Sequence, residues 1–244
     1  MTNIKTNHTT WAIVPAAGIG KRMQSALPKQ YILLNGRPVL EHTINSLLQN
    51  KYIAGLVIAL HADDQCFTNL KIKSDKPILQ TVGGNERADS VLNAINALFE
   101  HAKFDAEKDW VMVHDAVRAC LRQEDIDKLV AEVAENPGGG LLALPVRDTM
   151  KRQSADGEPA TVTKTVNREN LWHALTPQYF PAKSLKDALK NALDKGLAVT
   201  DDSSVMELAG FSPILVHGNE ENIKITRPDD LRLASVYLKN RNSE

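Results

Sequence analysis

The chain has 244 residues, of which 43% are hydrophobic and 24% charged, with a formal net charge of −1. This length and composition predict a globular protein with one large α/β domain, and the charge excludes a global basic field that would attract nucleic acid. No apolar run is long enough to cross a bilayer, and the two cysteines form neither a disulfide framework nor a metal-ligand spacing, so we expect a cytoplasmic protein that binds neither nucleic acid nor membrane.

Residues 1–10 are polar and predict a flexible tail, whereas residues 11–240 predict a single domain. Apolar runs alternate with amphipathic segments along this domain, a pattern typical of a doubly wound, mostly parallel sheet covered by helices. Strands are predicted at residues 11–14, 55–60, 78–82, 109–114, 141–146 and 213–216. Helices are predicted at residues 39–48, 87–99, 123–133, 182–193, 203–209 and 229–238.

The pattern changes over residues 147–168, which are polar and contain a turn at residues 154–157. This segment predicts a β-hairpin arm that projects from the domain. An isolated hairpin is only marginally stable in water, so the arm is expected to pack on another surface, and a second copy of the chain is the simplest candidate.

Residues 14–23 carry the strongest functional signal of the chain. A short apolar strand leads into small residues, whose backbone can approach a ligand closely. Three cations, Lys21, Arg22 and Lys29, follow within a short loop. Exposed backbone N–H groups and cations together favour the binding of a polyphosphate.

Two well-known glycine loops do not fit this segment. The dinucleotide fingerprint requires a third glycine where this chain has Met23. The P-loop requires a glycine at the position of Pro15 and a Ser or Thr at the position of Arg22. The segment instead resembles the glycine-rich loop of nucleotidyltransferases. The alternative is a strand-to-helix turn with solvated charges, and the register of Arg22, Pro28 and Lys29 favours the functional interpretation.

A second candidate site follows the apolar strand at residues 109–114, at the carboxyl end where open α/β sheets bind ligands. Asp115 could orient a substrate or lie near a phosphate-bound Mg²⁺, and the alternative is that it caps the next helix. Arg118 is suited to bidentate binding of an anionic group. We expect His114 to be a packed, hydrogen-bonded histidine rather than a base, because no neighbour in the sequence completes a triad or a metal set.

A second glycine turn spans residues 83–91. Its small residues would let a flat base approach, and Ser90 would reach a ribose or base from the first helical turn. The alternative interpretation is a helix cap in which Asn85 is the capping side chain. By themselves, the charges of the arm are typical of edge protection, and Lys224 is typical of a surface lysine.

Taken together, eight segments in this order resemble one family, and they lie at residues 15–23, 28–31, 83–91, 114–116, 145–151, 171–178, 199–202 and 222–228. The chain is similar from about Trp11 to about Leu238 to the 2-C-methyl-D-erythritol 4-phosphate cytidylyltransferases of the non-mevalonate isoprenoid pathway. The resemblance implies a Rossmann-like nucleotidyltransferase fold and a homodimer clasped by the arm. It also implies a reaction of CTP with methylerythritol phosphate that yields the CDP-alcohol and pyrophosphate.

The same resemblance implies roles for individual residues. Arg22 and Lys29 would be the catalytic residues that stabilise the transition state. Contacts to CTP would come from Pro15, Ala16, Ala17, Gly18, Gly20, Gly84, Asn85, Arg87 and Ser90. Contacts to methylerythritol phosphate would come from Asp115, Arg118, Thr176, Thr200 and Lys224, and from Thr149 of the partner subunit and Arg168 of the partner subunit. Mg²⁺ would be held mainly by CTP phosphates, with no metal-ligating residue in the chain.

The chain departs from the family pattern at a few positions. The family usually continues its strand-end motif as Asp-Ala-Ala-Arg-Pro, whereas this chain has Val117 and Ala119 at the third and fifth places, which leaves φ of Ala119 unrestricted. Asn85 and Asn167 each replace a common Asp. Two alternatives remain: a ribitol 5-phosphate cytidylyltransferase, which shares the glycine loop and the Thr-Pro-Gln motif, and a non-catalytic nucleotide-binding module.

Overall fold

The computed structural model describes residues 8–18, 27–133, 135–154 and 159–241. The strands are β1 (Thr10–Pro15), β2 (Leu33–Leu34), β3 (Arg37–Pro38), β4 (Ile53–Leu60), β5 (Ile78–Val82), β6 (Trp110–Val113), β7 (Gly140–Pro145), β8 (Met150–Gln153), β9 (Val162–Val166), β10 (Trp172–Pro181) and β11 (Ile214–His217). The helices are α1 (Val39–Gln49), α2 (Arg87–Phe99), α3 (Gln123–Val133), α4 (Ala182–Asp194), α5 (Asp202–Leu208) and α6 (Pro228–Arg241). None of the helices in the described ranges combines the length and the apolarity needed to span a membrane.

A seven-stranded sheet forms the centre of the domain, in the order β11-β7-β10-β6-β1-β4-β5. Strands β1, β4, β5 and β6 pair in parallel, as do β7 and β11. Strand β10 is antiparallel to both of its neighbours, β6 and β7. The sheet is therefore mostly parallel, as the alternation of strands and helices predicts, with one antiparallel strand near its middle.

Side chains that alternate along β1 show how the sheet is covered. Ala12 and Val14 face the cluster that includes the apolar sides of α1 and α3. Trp11 and Ile13 face the opposite cluster, which includes α2, α4 and α5. This alternation follows the two-residue period of a strand and buries both faces of the sheet under helices. The predicted doubly wound arrangement is confirmed in this part of the domain.

The described segment before β1 does not match the predicted tail. Thr10 is the first residue of β1, and its hydroxyl lies 2.8 Å from the hydroxyl of Tyr179. The His8 ring stacks on Trp110 with centroids 4.8 Å apart, and its Nε2 lies 2.6 Å from the Tyr179 hydroxyl. The expectation that the tail extends to residue 10 is wrong, because aromatic packing and hydrogen bonds attach residues 8–10 to the sheet.

The predicted arm contains a two-stranded antiparallel sheet that is separate from the central one. Strands β8 and β9 pair with Met150 opposite Val166, and most of their side chains are exposed. The turn residues 155–158 lie outside the described ranges. The antiparallel pairing of the two predicted strands is confirmed, and the projecting arm with its part in a dimer stays a prediction.

Strand β10 is the strand of the central sheet that the sequence did not predict, and the two-residue strands β2 and β3 outside that sheet were not predicted either. The segment around Thr176 was identified only as a motif, and periodicity predicted no strand there. The reason is that β10 is buried on both faces over its second half and exposed over its first, so its pattern is neither alternating nor uniformly apolar.

Candidate active site

The carboxyl ends of β1, β5 and β6 open into a cleft of about 210 Å³. This is the edge at which a doubly wound sheet binds ligands. The cleft brings together residues from five separate segments of the sequence, and it is lined by Pro15, Ala16, Ala17, Gly18, Lys29, Gln30, Gly84, Asn85, Glu86, Arg87, Ser90, Asp115, Ala116, Val117 and Lys224. Every described residue predicted to be catalytic or to contact CTP is in this lining. Arg22 and Gly20 belong to the same prediction and lie outside the described residues.

The two glycine turns meet so closely that no larger residue fits between them. A Cβ on Gly83 would lie 2.4 Å from the Cβ of Ala17 in the first turn. Within the second turn and the helix that follows it, a Cβ on Gly84 would lie 2.1 Å from the Cβ of Asp89. The Gly83 N–H donates to the carbonyl O of Leu60 at 2.7 Å, which fixes the turn to the end of β4. Small residues here shape the cleft floor by allowing close backbone approach.

Ser90 is buried beneath the second turn and stabilises it. Its hydroxyl accepts a hydrogen bond from the Gly84 N–H at 3.0 Å and donates to the carbonyl O of Glu86 at 3.2 Å. A serine so engaged orients the backbone of the turn. The predicted direct reach of Ser90 to a ribose or base therefore stays untested, although Ser90 does line the cleft.

The cap of α2 is Glu86 and not Asn85. Glu86 forms a capping box with Asp89, whose carboxylate accepts from the Glu86 N–H at 2.9 Å. The interpretation of Asn85 as the capping side chain is wrong, because the helix begins one residue later than that role requires. Asn85 is exposed at the wall of the cleft.

A second cleft of about 300 Å³ adjoins the first. It is lined by Arg87, Asp115, Arg118, Ala174, Leu175, Thr176, Gln178, Thr200, Asp201 and Lys224. The two clefts share Arg87, Asp115 and Lys224. All five residues predicted to bind the acceptor from within one chain line this second cleft.

Asp115 lies at the junction of the clefts and contacts three cations. Its Oδ1 lies 3.2 Å from Arg87 Nε, and its Oδ2 lies 3.3 Å from Arg118 Nε and 3.0 Å from Lys224 Nζ. Burial alone would raise the pKa of Asp115, but the three cations outweigh it and hold that pKa well below its usual range. Asp115 caps no helix, since the next helix begins at Gln123, so the capping alternative is wrong.

His114 is fully buried and hydrogen-bonded on both ring nitrogens, as predicted. Because the carbonyl O of Arg118 can only accept, the ring must donate to it from Nε2, at 3.1 Å. Nδ1 then accepts from the Thr176 hydroxyl at 2.9 Å, whose oxygen accepts from the Asp115 N–H at 3.0 Å. Burial lowers the pKa of His114 to about 4, so the ring is neutral at physiological pH and serves as a structural link.

Arg118 is held by internal contacts at the edge of the second cleft. In addition to the contact with Asp115, its Nη1 donates to the carbonyl O of Asn222 at 2.7 Å. The carbonyl O of Val117 accepts from the Ile225 N–H at 2.9 Å, which brings the segment containing Lys224 to the site. The departures Val117 and Ala119 are buried in an apolar cluster with Ile225, so they pack without displacing Arg118 from the cleft.

The arm residues Thr149 and Arg168 are placed differently. Both are exposed, Thr149 just before β8 and Arg168 shortly after β9. Neither is among the described residues that line the two clefts. Arg147, at the base of the arm, pairs with Glu220. A single chain therefore does not bring Thr149 and Arg168 to the other predicted acceptor-binding residues.

Sequence reasoning missed Asp202 and Gln178 as site residues. Asp202 pairs with Arg87, and Gln178 is fully buried, donates to Asp201 Oδ2 at 2.8 Å and accepts from the Ser203 N–H at 2.8 Å. Asp201 and Asp202 are consecutive at the start of α5, and only one of them can be the N-cap. The sequence therefore indicated that the other aspartate has a different partner. Gln178 had no signal of its own beyond its polar type within an apolar strand.

Comparison with known proteins decides the family. The family model IspD, described as 2-C-methyl-D-erythritol 4-phosphate cytidylyltransferase, matches residues 10–240. The chain belongs to this family. Two proteins named 2-C-methyl-D-erythritol 4-phosphate cytidylyltransferase are similar to it: one from Shewanella piezotolerans, 51% identical over 94% of this chain and 95% of the relative, and one from Shewanella sediminis, 53% identical over 95% of each.

Solved structures of the cytidylyltransferase family have the same fold. A crystal structure of 4-diphosphocytidyl-2C-methyl-D-erythritol synthase superposes with a TM-score of 0.81 at 31% identity, over 95% of this chain and all of that one. As a member of this family, the chain is a nucleotidyltransferase. The family resemblance of the eight sequence segments is confirmed.

Proposed function

We propose that this protein transfers a cytidylyl group from CTP to 2-C-methyl-D-erythritol 4-phosphate, forming 4-diphosphocytidyl-2-C-methyl-D-erythritol and pyrophosphate, a step of isoprenoid precursor synthesis. The observation that supports it best is the pair of adjoining clefts that share Arg87, Asp115 and Lys224. A reaction between two anionic substrates requires two neighbouring sites with cations at their junction.

In the proposed reaction, a phosphate oxygen of the acceptor attacks the α-phosphorus of CTP. The new P–O bond forms as the bond from the α-phosphorus to the bridging oxygen breaks, and pyrophosphate leaves with that oxygen. The second pKa of a phosphate monoester is near 6, so the nucleophile is mostly dianionic at neutral pH and needs no general base. This agrees with a site in which His114 is buried and hydrogen-bonded on both ring nitrogens.

The task of the protein is then to position two anions and neutralise the developing charge. Lys29 lines the nucleotide cleft and would stabilise the α-phosphate oxygens. Arg22, which belongs to the glycine-rich loop, would act beside it, as the family resemblance implies. Lys224 and Arg118 would attract the acceptor phosphate, while Asp115 keeps both cations oriented toward the second cleft.

We propose that Mg²⁺ enters as part of the nucleotide substrate. The carboxylate that lines both clefts, Asp115, already contacts three cations, a donor arrangement that suits a metal held by CTP phosphates better than one held by the protein. The metal would neutralise charge on the pyrophosphate leaving group.

The arm supports a homodimeric site. Thr149 and Arg168 are exposed, and Arg147 at the base of the arm pairs with Glu220 of the same chain. An exposed hairpin gains stability by packing on a second copy. Thr149 and Arg168 would then complete the acceptor cleft of the other subunit.

The experiment that tests the function is pyrophosphate release by the purified protein with CTP and Mg²⁺, in parallel assays with methylerythritol 4-phosphate and ribitol 5-phosphate. Release with the first alcohol alone supports the proposal. Release with ribitol 5-phosphate alone contradicts the proposal and supports a ribitol 5-phosphate cytidylyltransferase. No release with either, in a protein that still binds CTP, supports a binding module and contradicts the proposal.

A further inference from the structure

Two successive aspartates at the start of α5 have separate contacts. Asp201 caps the helix, because its carboxylate accepts from the Ser204 N–H at 2.9 Å. Asp202 points away from the cap toward α2, and its Oδ2 lies 2.8 Å from Arg87 Nη2. Helix capping therefore explains Asp201 and leaves Asp202 to be explained by Arg87.

The ion pair of Asp202 and Arg87 contributes little to the stability of the folded protein by itself. Asp202 is 1% exposed, and its second oxygen, Oδ1, has no hydrogen-bond partner in the described part of the chain. A buried ion pair whose polar atoms are incompletely satisfied recovers little of its desolvation cost. Because Asp202 adds little to the stability of the fold, a functional reason for its presence is favoured.

Arg87 occupies a position where such a reason exists. It is the first residue of α2, directly after the glycine turn of the nucleotide cleft. Its guanidinium contacts Asp115 through Nε and Asp202 through Nη2, so the group is held from two sides at the junction of both clefts. One anchor would leave the guanidinium to rotate about a single contact, whereas two fix its plane.

We propose that Asp202 is a positioning residue that fixes the Arg87 guanidinium at the boundary of the nucleotide and acceptor clefts, so that Arg87 and Asp115 present a single arrangement to the acceptor phosphate. This inference rests on the proposed function for its kinetic consequence but not for its structural one. Asp202 does not line either cleft, so it acts through Arg87.

The first test concerns the position of Arg87 and needs no turnover. Asp202→Asn removes the charge at nearly constant volume. Asp125→Asn is the matched control, because Asp125 is another buried aspartate with one unpartnered oxygen, in α3 and outside both clefts. We expect the rate at which phenylglyoxal modifies Arg87, followed by mass spectrometry, to rise several-fold in D202N and to match wild type in D125N. An unchanged rate in folded D202N overturns the proposal, whatever the protein's activity.

The second test is kinetic. For D202N we expect the KM for the acceptor to rise by about tenfold while the KM for CTP stays within about twofold of wild type, because Arg87 shares Asp115 with Arg118, which lines the acceptor cleft alone. Adding D202N to Arg87→Gln should cause no further loss, since two residues that act through one contact are not additive. Equal losses from D202N with and without Arg87 overturn the proposal.

The two proposals fail in different ways. Wild-type protein without pyrophosphate release contradicts the proposed function and leaves the modification test to decide the role of Asp202. A wild type that turns over, together with a D202N variant whose kinetics match those of D125N, contradicts the role of Asp202 alone.

Discussion

Gln30 donates a hydrogen bond from Nε2 to the carbonyl O of Ala16 at 2.8 Å and is buried at the floor of the nucleotide cleft. This bond attaches the segment that follows the glycine-rich loop to the end of β1. Lys29 is the residue before Gln30 in the short helical turn at residues 29–31, so its backbone position is set by the same contact. The backbone of Lys29 is thereby held in place, and its side chain extends along the wall of the cleft.

We expect Lys29→Ala to lower kcat by about a hundredfold, by analogy with the loss of one transition-state hydrogen-bond donor. The measurement is steady-state pyrophosphate release at saturating CTP and acceptor. Lys73→Ala, at an exposed lysine outside both clefts, is the control and should retain wild-type turnover. A near-normal kcat in K29A would remove Lys29 from the mechanism.

The glycine turns offer a pair of substitutions that separates packing from ligand binding. Gly83→Ala places a methyl 2.4 Å from Ala17 and is expected to reduce the free energy of unfolding by about 1–3 kcal/mol and to raise the KM for CTP. Gly18→Ala meets no heavy atom of the described residues within 4 Å, so it should leave stability unchanged and raise only the KM for CTP. Urea unfolding and CTP titrations of both variants provide the measurement. Equal stability of G83A and G18A would show that the two turns are not in contact.

His114 gives stability a defined dependence on pH. Its pKa in the folded protein is about 4, against 6.5 for an unperturbed histidine, so the unfolded chain binds more protons between these values. Stability that is present above pH 6.5 is therefore lost as the pH falls toward 4, by roughly 3 kcal/mol from this one group.

His114→Gln should flatten that dependence, because no proton is then taken up by the unfolded chain at this position. Denaturant unfolding at pH 7.5, 6, 5 and 4 is the measurement, and the difference between variants cancels the contributions of other groups. His61→Gln, at an exposed histidine, is the control and should keep the wild-type slope. A wild-type slope in H114Q would mean that the imidazole is not buried as described.

A shared active site predicts complementation between two inactive variants. K29A lacks a group on the nucleotide side and Arg168→Ala lacks a group on the arm, so each homodimer is defective in both sites. Mixed subunits form hybrids in which one of two sites is intact, which should restore about a quarter of wild-type activity after statistical exchange. Activity of the mixture equal to the mean of the two variants would contradict a site built across subunits.

The sequence predicted those parts of the fold that depend on local pattern. Helices α2 and α3 have the predicted bounds because their apolar positions repeat with the helical period and their ends carry clear boundary residues. Strand β10 did not follow from pattern, since its partners β6 and β7 are distant in sequence and its burial changes along its length.

The candidate site divides in the same way. The glycine turns and the strand-end motif were predictable because backbone geometry at a ligand restricts residue type at each position. The Asp202–Arg87 pair and the His114–Thr176 link join residues that are 115 and 62 positions apart, and the Gln30–Ala16 bond spans the glycine-rich loop. A single sequence carries no direct record of such contacts.

The insertion of β10 between β6 and β7 has a consequence for how the chain is made. During synthesis β6 emerges with one edge unpaired, and β7 cannot cover it because β10 lies between them in the sheet. An unpaired strand edge on a nascent chain can pair wrongly with a strand of another chain that is being translated from the same mRNA. Thr176 and Gln178 arrive on the strand that closes this gap, so the event that ends the exposure also puts two residues of the acceptor cleft in place.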